Sequence, residues 1–392
     1  MAEEDSQALE ALEAVGAVGA VDEVHARIGA FFHRREMRER VRRYLEGVLR
    51  PVERKNGWQL AEALGEEGPQ GVQRLFTDAE WDAEAVRDVL RTYVLEHLGD
   101  AASGVVVVDE TGFLKKGTKS AGVARQYRGT AGRRENQQIG VFLLYASARG
   151  AAFIDRALYL PDEWMGDVAR REEAHIPEQV GFATKGEIAR ELVARALAAG
   201  VPAQWVVGDT VYSADELRRW LEGHGRRYAL AVPETHALWT RGQQRTVERL
   251  VADLPAWTRL SAGEGSQGPR WYDWACLALP YTAAVGMAHW LLARRRRDPT
   301  KLAYYRVYGP VDTPVTEMVR VAGRRWTIEE GFEQAKGEVG LDQYEVRRYD
   351  AWYRYVTLAL LAHAALEVTR DRTRQSAALD GKGGALPATA SR

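Results

Sequence analysis

Val105-Val106-Val107-Val108-Asp109 and Trp205-Val206-Val207-Gly208-Asp209 are two short apolar runs that each end in an aspartate. Their length and β-branched content predict two buried strands. Open α/β sheets bind ligands and metals beyond the carboxyl ends of their strands, so both carboxylates are expected at one edge of a sheet. Taken alone, each aspartate could instead be a turn residue or a helix cap.

A third acidic element lies far downstream, in Arg325-Trp326-Thr327-Ile328-Glu329. At about 100° per residue, Arg325, Glu329 and Lys336 fall within about 40° of one another and share one helix face. Two aspartates and a helical glutamate are enough to hold a pair of hard divalent cations, which take oxygen ligands. Glu333 lies only about 40° from Glu329, so spacing alone does not decide between the two glutamates. The alternative for Arg325 and Glu329 is a surface ion pair.

The segments around the two aspartates alternate between strand and helix signals. Three early strands are followed by helix, strand, helix and strand, an order that predicts a mixed sheet with helices on both faces. This is the order of an RNase H-like α/β fold. The predicted strands are 105–109, 139–146, 152–160, 204–208 and 228–232, with an amphipathic helix at about 186–199.

The remaining segments flank or interrupt this core. The N-terminal part has helical periodicity and predicts an all-helical domain, whereas a later segment rich in tryptophan and β-type runs predicts a β-rich insertion. Two helices then finish the fold, and an Ala-, Gly- and Ser-rich end is predicted to be disordered. The predicted boundaries are 1–103 for the helical domain, 104–235 and 313–370 for the core, 236–312 for the insertion and 371–392 for the tail, with the late helices at about 314–337 and 349–370.

Composition restricts the class of protein. The apolar share of 46% and the charged share of 28% are those of a globular chain, and 392 residues allow two or three domains. The single cysteine, Cys276, excludes an internal disulfide and a thiolate zinc site. The acidic start lacks the features of a signal peptide and no apolar span is long enough to cross a bilayer, so a cytoplasmic protein is expected.

Basic residues are clustered although the net charge is only -1. The clusters lie at 33–55, at 115–119 directly after the first strand, and at Arg294-Arg295-Arg296-Arg297. Local basic patches with aromatic neighbours bind phosphate backbones despite a neutral total charge. The alternative for each cluster is a solvated, salt-bridged surface.

Several short motifs, in order along the chain, resemble those of the DDE transposases of bacterial insertion sequences. The resemblance covers about residues 30–368, nearly the whole chain. The motifs are Val108-Asp109-Glu110-Thr111-Gly112-Phe113, Gln126-Tyr127-Arg128-Gly129-Thr130-Ala131-Gly132, Leu158-Tyr159-Leu160-Pro161-Asp162-Glu163-Trp164, Val207-Gly208-Asp209-Thr210-Val211-Tyr212 and Gly340-Leu341-Asp342-Gln343-Tyr344-Glu345-Val346-Arg347.

The resemblance is closest to the branch with a Tyr-Arg-Glu-Lys signature. Its last three positions match Arg325, Glu329 and Lys336, but the tyrosine position holds Ala322. Tyr344 or Tyr349 are candidates for the missing tyrosine, and no pattern in the sequence selects either.

The resemblance implies a transposase that cuts DNA at the ends of an insertion sequence and joins the 3′-OH ends to target DNA by two-metal catalysis. It implies that Asp109, Asp209 and Glu329 are the catalytic, metal-binding triad, and that Mg²⁺ is the cofactor, with Mn²⁺ as a substitute. The expected partner is double-stranded DNA, both the terminal inverted repeats of the element and the target. A homodimer is expected to bind this DNA in the cytoplasm, at the nucleoid, and no membrane is expected to take part. The residues expected to contact DNA are Lys115, Lys116, Arg125, Tyr127, Arg128, Arg325 and Lys336.

Other functions remain open at this point. A stand-alone metal-dependent DNA nuclease on the same fold would cleave DNA but would not join a pre-cleaved end to target DNA. A domesticated DNA-binding protein would bind DNA without transposing it. A helical interaction protein with a structural α/β domain would show no metal-dependent change in thermal stability.

Overall fold

The chain folds into a helical N-terminal region followed by a large mixed sheet with helices on both faces. The computed structural model describes residues 16, 18–128, 132–240, 242–265, 268–296 and 301–383. The strands are β1 (Val105–Leu114), β2 (Ala124–Arg128), β3 (Arg133–Ala146), β4 (Ala151–Tyr159), β5 (Trp205–Gly208), β6 (Arg227–Val232), β7 (Ala237–Thr240), β8 (Gln243–Thr246), β9 (Thr258–Gly265), β10 (Gly268–Leu279), β11 (Met287–Arg295) and β12 (Leu302–Pro310). The helices are α1 (18–28), α2 (Arg35–Leu49), α3 (Gly57–Ala63), α4 (Gln70–Thr77), α5 (Ala83–Leu98), α6 (Val168–Glu173), α7 (Lys185–Ala198), α8 (Asp215–Gly223), α9 (Val247–Ala252), α10 (Val315–Gly323), α11 (Arg325–Val339) and α12 (Tyr349–Gly383).

The sheet is mixed, as the order of elements in the sequence predicted. Its path is β2-β3-β1-β5-β6-β12-β11-β10-β9, and β4 also pairs with β3. β1 pairs antiparallel with β3 and parallel with β5, and β5 pairs parallel with β6. The predicted RNase H-like mixed sheet is therefore confirmed.

The β-rich insertion extends this sheet. β12 pairs antiparallel with β6, and β11, β10 and β9 follow it in turn. Only the β7–β8 hairpin forms a separate two-stranded sheet in the described part of the chain. It packs with α9 against strands of the main sheet in a small apolar cluster, which includes Leu238, Val247 and the β11 residue Leu291. The insertion is thus continuous with the core in its backbone hydrogen bonds.

The N-terminal helices share one apolar core with the α/β part. Val41, Leu45 and Leu90 belong to the same buried cluster as the strand residues Val106 and Val206. Helices α2, α4 and α5 contact the long C-terminal helix α12. This packing does not separate the N-terminal helices from the α/β part, so the domain boundaries stay predictions.

Two late helices differ from their predicted bounds. The helix expected at 314–337 is divided into α10 and α11, which meet at Arg324. A Cβ on Gly323 would lie 2.1 Å from the carbonyl oxygen of Ala262, so this glycine permits the close approach of α10 to β9.

The segment predicted to be disordered from 371 is helical as far as Gly383. Its Arg, Gln, Ala and Leu residues are good helix formers that continue α12. Residues 384–392 lie outside the described residues. Within the described residues, none of the helices combines the length and apolarity that a membrane crossing requires.

Candidate active site

Two aspartates meet at the carboxyl edge of the parallel strands. Val108 lies opposite Gly208 in the β1–β5 pairing, so the next residue on each strand is an aspartate. The apolar residues before them are buried, which fixes both backbones in the sheet. Asp109 Oδ1 accepts a hydrogen bond from the Glu110 amide at 2.8 Å, and Asp209 Oδ1 accepts one from the Val211 amide at 2.8 Å. Asp209 therefore does cap a short 3-10 turn, as its alternative interpretation predicted, and it also lies in the site.

The third carboxylate of this cluster is Glu110. One carboxylate oxygen each of Asp109, Glu110 and Asp209 lie within 4.8 Å of one another. Glu110 Oε1 accepts a hydrogen bond from Lys185 Nζ at 2.7 Å, and Oε2 accepts one from the Tyr212 hydroxyl. Its side chain is 17% exposed. The sequence-based triad did not include this residue.

Glu329 lies beside the cluster and is connected to it through an arginine. Arg325 Nη2 is 2.5 Å from Glu329 Oε1, and Arg325 Nη1 is 4.0 Å from Asp109 Oδ2. Burial alone would lower the pKa of Arg325, but the charges of Glu329 and Asp109 raise it. The sequence thus correctly placed the i,i+4 pair on one face of α11, and this face is turned toward Asp109. Glu333 is exposed one turn further on.

The electrostatics of the cluster favour a cation. Burial and then the charges of Asp209 and Glu110 raise the pKa of Asp109 to about 8. Burial and then Glu110 also raise the pKa of Asp209. When all four carboxylates are ionised, the two neighbouring cations leave a net charge of about -2, which one divalent ion neutralises. The donors are all carboxylate oxygens, the ligands that Mg²⁺ and Mn²⁺ prefer, so this donor set fits the implied metal.

The residues predicted to contact DNA fall into two groups. Lys336 lies near the carboxylates, where its Nζ donates to Thr111 Oγ1 at 2.6 Å. Lys115 is engaged within the protein, since its Nζ donates to the Tyr344 carbonyl at 3.0 Å and lies 3.4 Å from the centre of that ring. Burial lowers the pKa of Lys115 to about 8.

The exposed members of the set lie beyond the end of β1 and on the β2–β3 hairpin. Lys116 and Arg125 are exposed, and Tyr127 is 64% exposed. The Arg128 side chain lies outside the described part of the chain. A DNA contact for any of these residues stays a prediction.

The tyrosine that the signature lacks is not replaced at the carboxylates by either candidate. Ala322 is buried on α10. The Tyr344 hydroxyl donates to Gln138 Oε1 at 2.9 Å and accepts from Trp352 Nε1 at 3.1 Å, while the Tyr349 hydroxyl bonds to that of Tyr353 at 3.2 Å. These contacts hold the Tyr344 hydroxyl between β3 and α12, and the Tyr349 hydroxyl against Tyr353 within α12.

Three residues of the site were missed by sequence reasoning. Glu110 could have been suspected, because it directly follows Asp109 in the sequence. Lys185 is the first residue of α7, inside the Thr184–Glu187 capping box, and Tyr212 ends the turn after Asp209. Neither has a local pattern that points to a carboxylate about 75 or 102 residues away along the chain.

Comparisons with known proteins match most of the chain to one family of enzymes. A family model described as DDE superfamily endonuclease matches residues 28–252, and one described as transposase DDE domain matches residues 181–364. A protein from Microchaete diplosiphon described as "probable transposase for insertion sequence element IS701" is 25% identical over 319 residues. That alignment covers 77% of this chain and 75% of the relative.

Proposed function

Because this chain belongs to the DDE-type insertion-sequence transposases, which are enzymes that act on DNA, we propose that it cuts DNA at element ends and transfers the 3′-OH ends to target DNA by two-metal catalysis. The observation that carries the proposal is the meeting of Asp109 and Asp209 at the end of two paired strands. Bound Mg²⁺ ions would activate the attacking oxygen and stabilise the leaving oxygen of an in-line displacement.

The proposed ligands are Asp109, Asp209 and Glu329. The two aspartates have carboxylate oxygens near enough to share an ion. The ion pair with Arg325, which itself approaches Asp109 at 4.0 Å, supports Glu329 over the exposed Glu333 as the helical member. Arg325 bears a positive charge beside the proposed metals, so it is the residue we assign to a DNA phosphate there, together with Lys336.

The proposed partner is double-stranded DNA, as terminal inverted repeats and as target, bound by a homodimer. Exposed Lys116, Arg125 and Tyr127 are the residues we assign to DNA contact beyond the metal site. A basic side chain contributes through the phosphate backbone, whereas an exposed tyrosine offers a face for stacking.

The test uses purified protein and duplexes that carry the DNA flanking this gene. With Mg²⁺, the wild-type chain should nick one strand at the element end and join that end to a target plasmid. Asp109→Asn and Asp209→Asn should reduce both steps to background, while Asp312→Asn, which changes an exposed carboxylate, should retain them.

Two results would contradict the proposal in different ways. Nicking without any joining of a pre-cleaved end would identify a nuclease. Sequence-specific binding with no metal-dependent cleavage would identify a domesticated DNA-binding protein.

A further inference from the structure

Strand β1 presents carboxylates to both faces of the sheet. Asp109 pairs with Phe142, whose ring lies 5.3 Å from that of Phe332 on α11, so Asp109 is on the α11 face. The next residue, Glu110, points to the opposite face, because side chains alternate along a strand. There it contacts Lys185 of α7.

The unequal lengths of two strands bring Glu110 to the aspartates. β5 ends at Gly208, whereas β1 continues to Leu114. Past Gly208, no strand residue occupies the space beside β1 on that side, and the turn that contains Asp209 and Tyr212 fills it instead. Glu110 therefore reaches the same space as both aspartates although it lies on the opposite face from Asp109.

We propose that in the DNA-free protein the first divalent ion is held by Asp109, Asp209 and Glu110, and that Lys185 and Tyr212 are positioning residues for Glu110. Glu329 then joins the site only after Arg325 releases it. This inference rests on the proposed metal-dependent function, and it adds a fourth carboxylate to the three that function invokes.

The contacts of the two glutamates support this order. Glu329 is already bound by Arg325 at 2.5 Å, and its side chain is 36% exposed. Glu110 is more buried and has an oxygen within 4.8 Å of both aspartates. Its oxygen already lies within reach of an ion shared with the aspartates, whereas Glu329 is not among the described carboxylates that meet there.

The donors on Glu110 explain why it stays in this position. Lys185 binds one carboxylate oxygen and Tyr212 binds the other, which fixes the carboxylate plane. Each ionised oxygen still has a lone pair for an ion. Groups that orient a metal ligand in this way commonly change metal affinity by roughly 10- to 100-fold when removed. Tyr212 is fully buried, so its hydroxyl is held in place by packing.

The experiment measures Mn²⁺ binding to the intact, DNA-free protein by calorimetry, with free Mn²⁺ counted by electron paramagnetic resonance. Glu110→Gln should weaken the tightest binding event roughly 10- to 100-fold, and Tyr212→Phe about 10-fold. Glu329→Gln should change it by less than about threefold, because Glu329 is held by Arg325 in this state. Glu333→Gln, an exposed glutamate on the same helix, is the matched control and should have no effect.

The outcomes separate this inference from the proposed function. If Glu110→Gln binds Mn²⁺ like the wild type while Asp109→Asn does not, the role of Glu110 is refuted and the aspartate site stands. If Asp109→Asn also binds like the wild type, both are refuted. If circular dichroism shows that Glu110→Gln does not fold, Tyr212→Phe is the deciding variant, because it keeps the buried ring. An unchanged Mn²⁺ affinity of Tyr212→Phe would refute the positioning role.

Discussion

Replacing Asp109 by Asn should stabilise the metal-free protein, and more strongly as the pH rises. Burial, Asp209 and Glu110 raise the pKa of Asp109 from 3.8 to about 8. Between these two values the folded state keeps a proton that the unfolded chain has lost. Stability of the wild type therefore falls with rising pH in this window, by about 1.4 kcal/mol per pH unit from this group.

The change over an accessible pH range is large enough to measure. From pH 6 to pH 8 the wild type should lose about 2 kcal/mol through Asp109, because the folded group is half ionised at the upper limit. An asparagine does not titrate, and its Oδ1 still accepts the Glu110 amide. The stability difference between Asp109→Asn and the wild type should therefore widen by about 2 kcal/mol across this range.

The assay is urea unfolding in EDTA at pH 6, 7 and 8, followed by circular dichroism. Asp312→Asn, at an exposed position, should remain parallel to the wild type at every pH. A stability difference for Asp109→Asn that stays constant within about 0.5 kcal/mol would refute the argument that Asp109 carries a strongly raised pKa.

Further predictions concern the metal, the helical residues and DNA. Saturating Mg²⁺ at 100 times its Kd should stabilise the wild type by about 2.7 kcal/mol in the same unfolding assay at pH 8, and Asp109→Asn should lose this gain. Arg325→Gln removes a positive charge about 4 Å from Asp109 and should tighten Mn²⁺ binding about 5-fold by calorimetry; unchanged affinity would show that this charge is screened. Glu329→Gln should abolish nicking while Glu333→Gln retains it, and the reverse result would exchange their roles. Arg125→Ala should reduce the slope of log affinity against log salt concentration by about one, the value for one lost phosphate contact, and an unchanged slope would show that Arg125 does not contact a DNA phosphate.

The sequence predicted the elements whose signals are local. The run Val105–Val108 and the run Trp205–Gly208 are buried strands, as their uninterrupted apolar residues indicated. The extension of β1 to Leu114 was missed, because Thr111 and Gly112 have no strand pattern of their own and are held by pairing with β3. A local pattern cannot reveal a strand that is fixed by its partner.

The parts of the site that sequence could not predict depend on tertiary contacts. The shared face of Arg325 and Glu329 follows from helix geometry, but that this face meets Asp109 does not. Glu110 joins the cluster only because β5 is shorter than β1. The division between α10 and α11 lies beside the close approach of Gly323 to Ala262, which periodicity within one helix cannot show.

The strand order also shows where Arg294, in the basic cluster at the end of β11, lies relative to the carboxylates. β11 runs antiparallel to β12, and β12 antiparallel to β6, so Arg294 lies at the same edge of the sheet as Asp209. Three strand spacings separate β5 from β11, about 14 Å, which is close to the roughly 12 Å width of the major groove of DNA.

Tyr305 on this edge interacts both with Arg294 of the insertion and with Arg325 beside the carboxylates. The Arg294 guanidinium lies 4.6 Å from the Tyr272 ring and 6.0 Å from that of Tyr305, and Tyr305 is among the groups that raise the pKa of Arg325 above the value that burial alone would set. Arg294 and Arg325 are thus two positive charges that both interact with Tyr305. We expect a phosphate backbone bound at the carboxylates to reach Arg294 as well, which would make the insertion part of the proposed DNA surface.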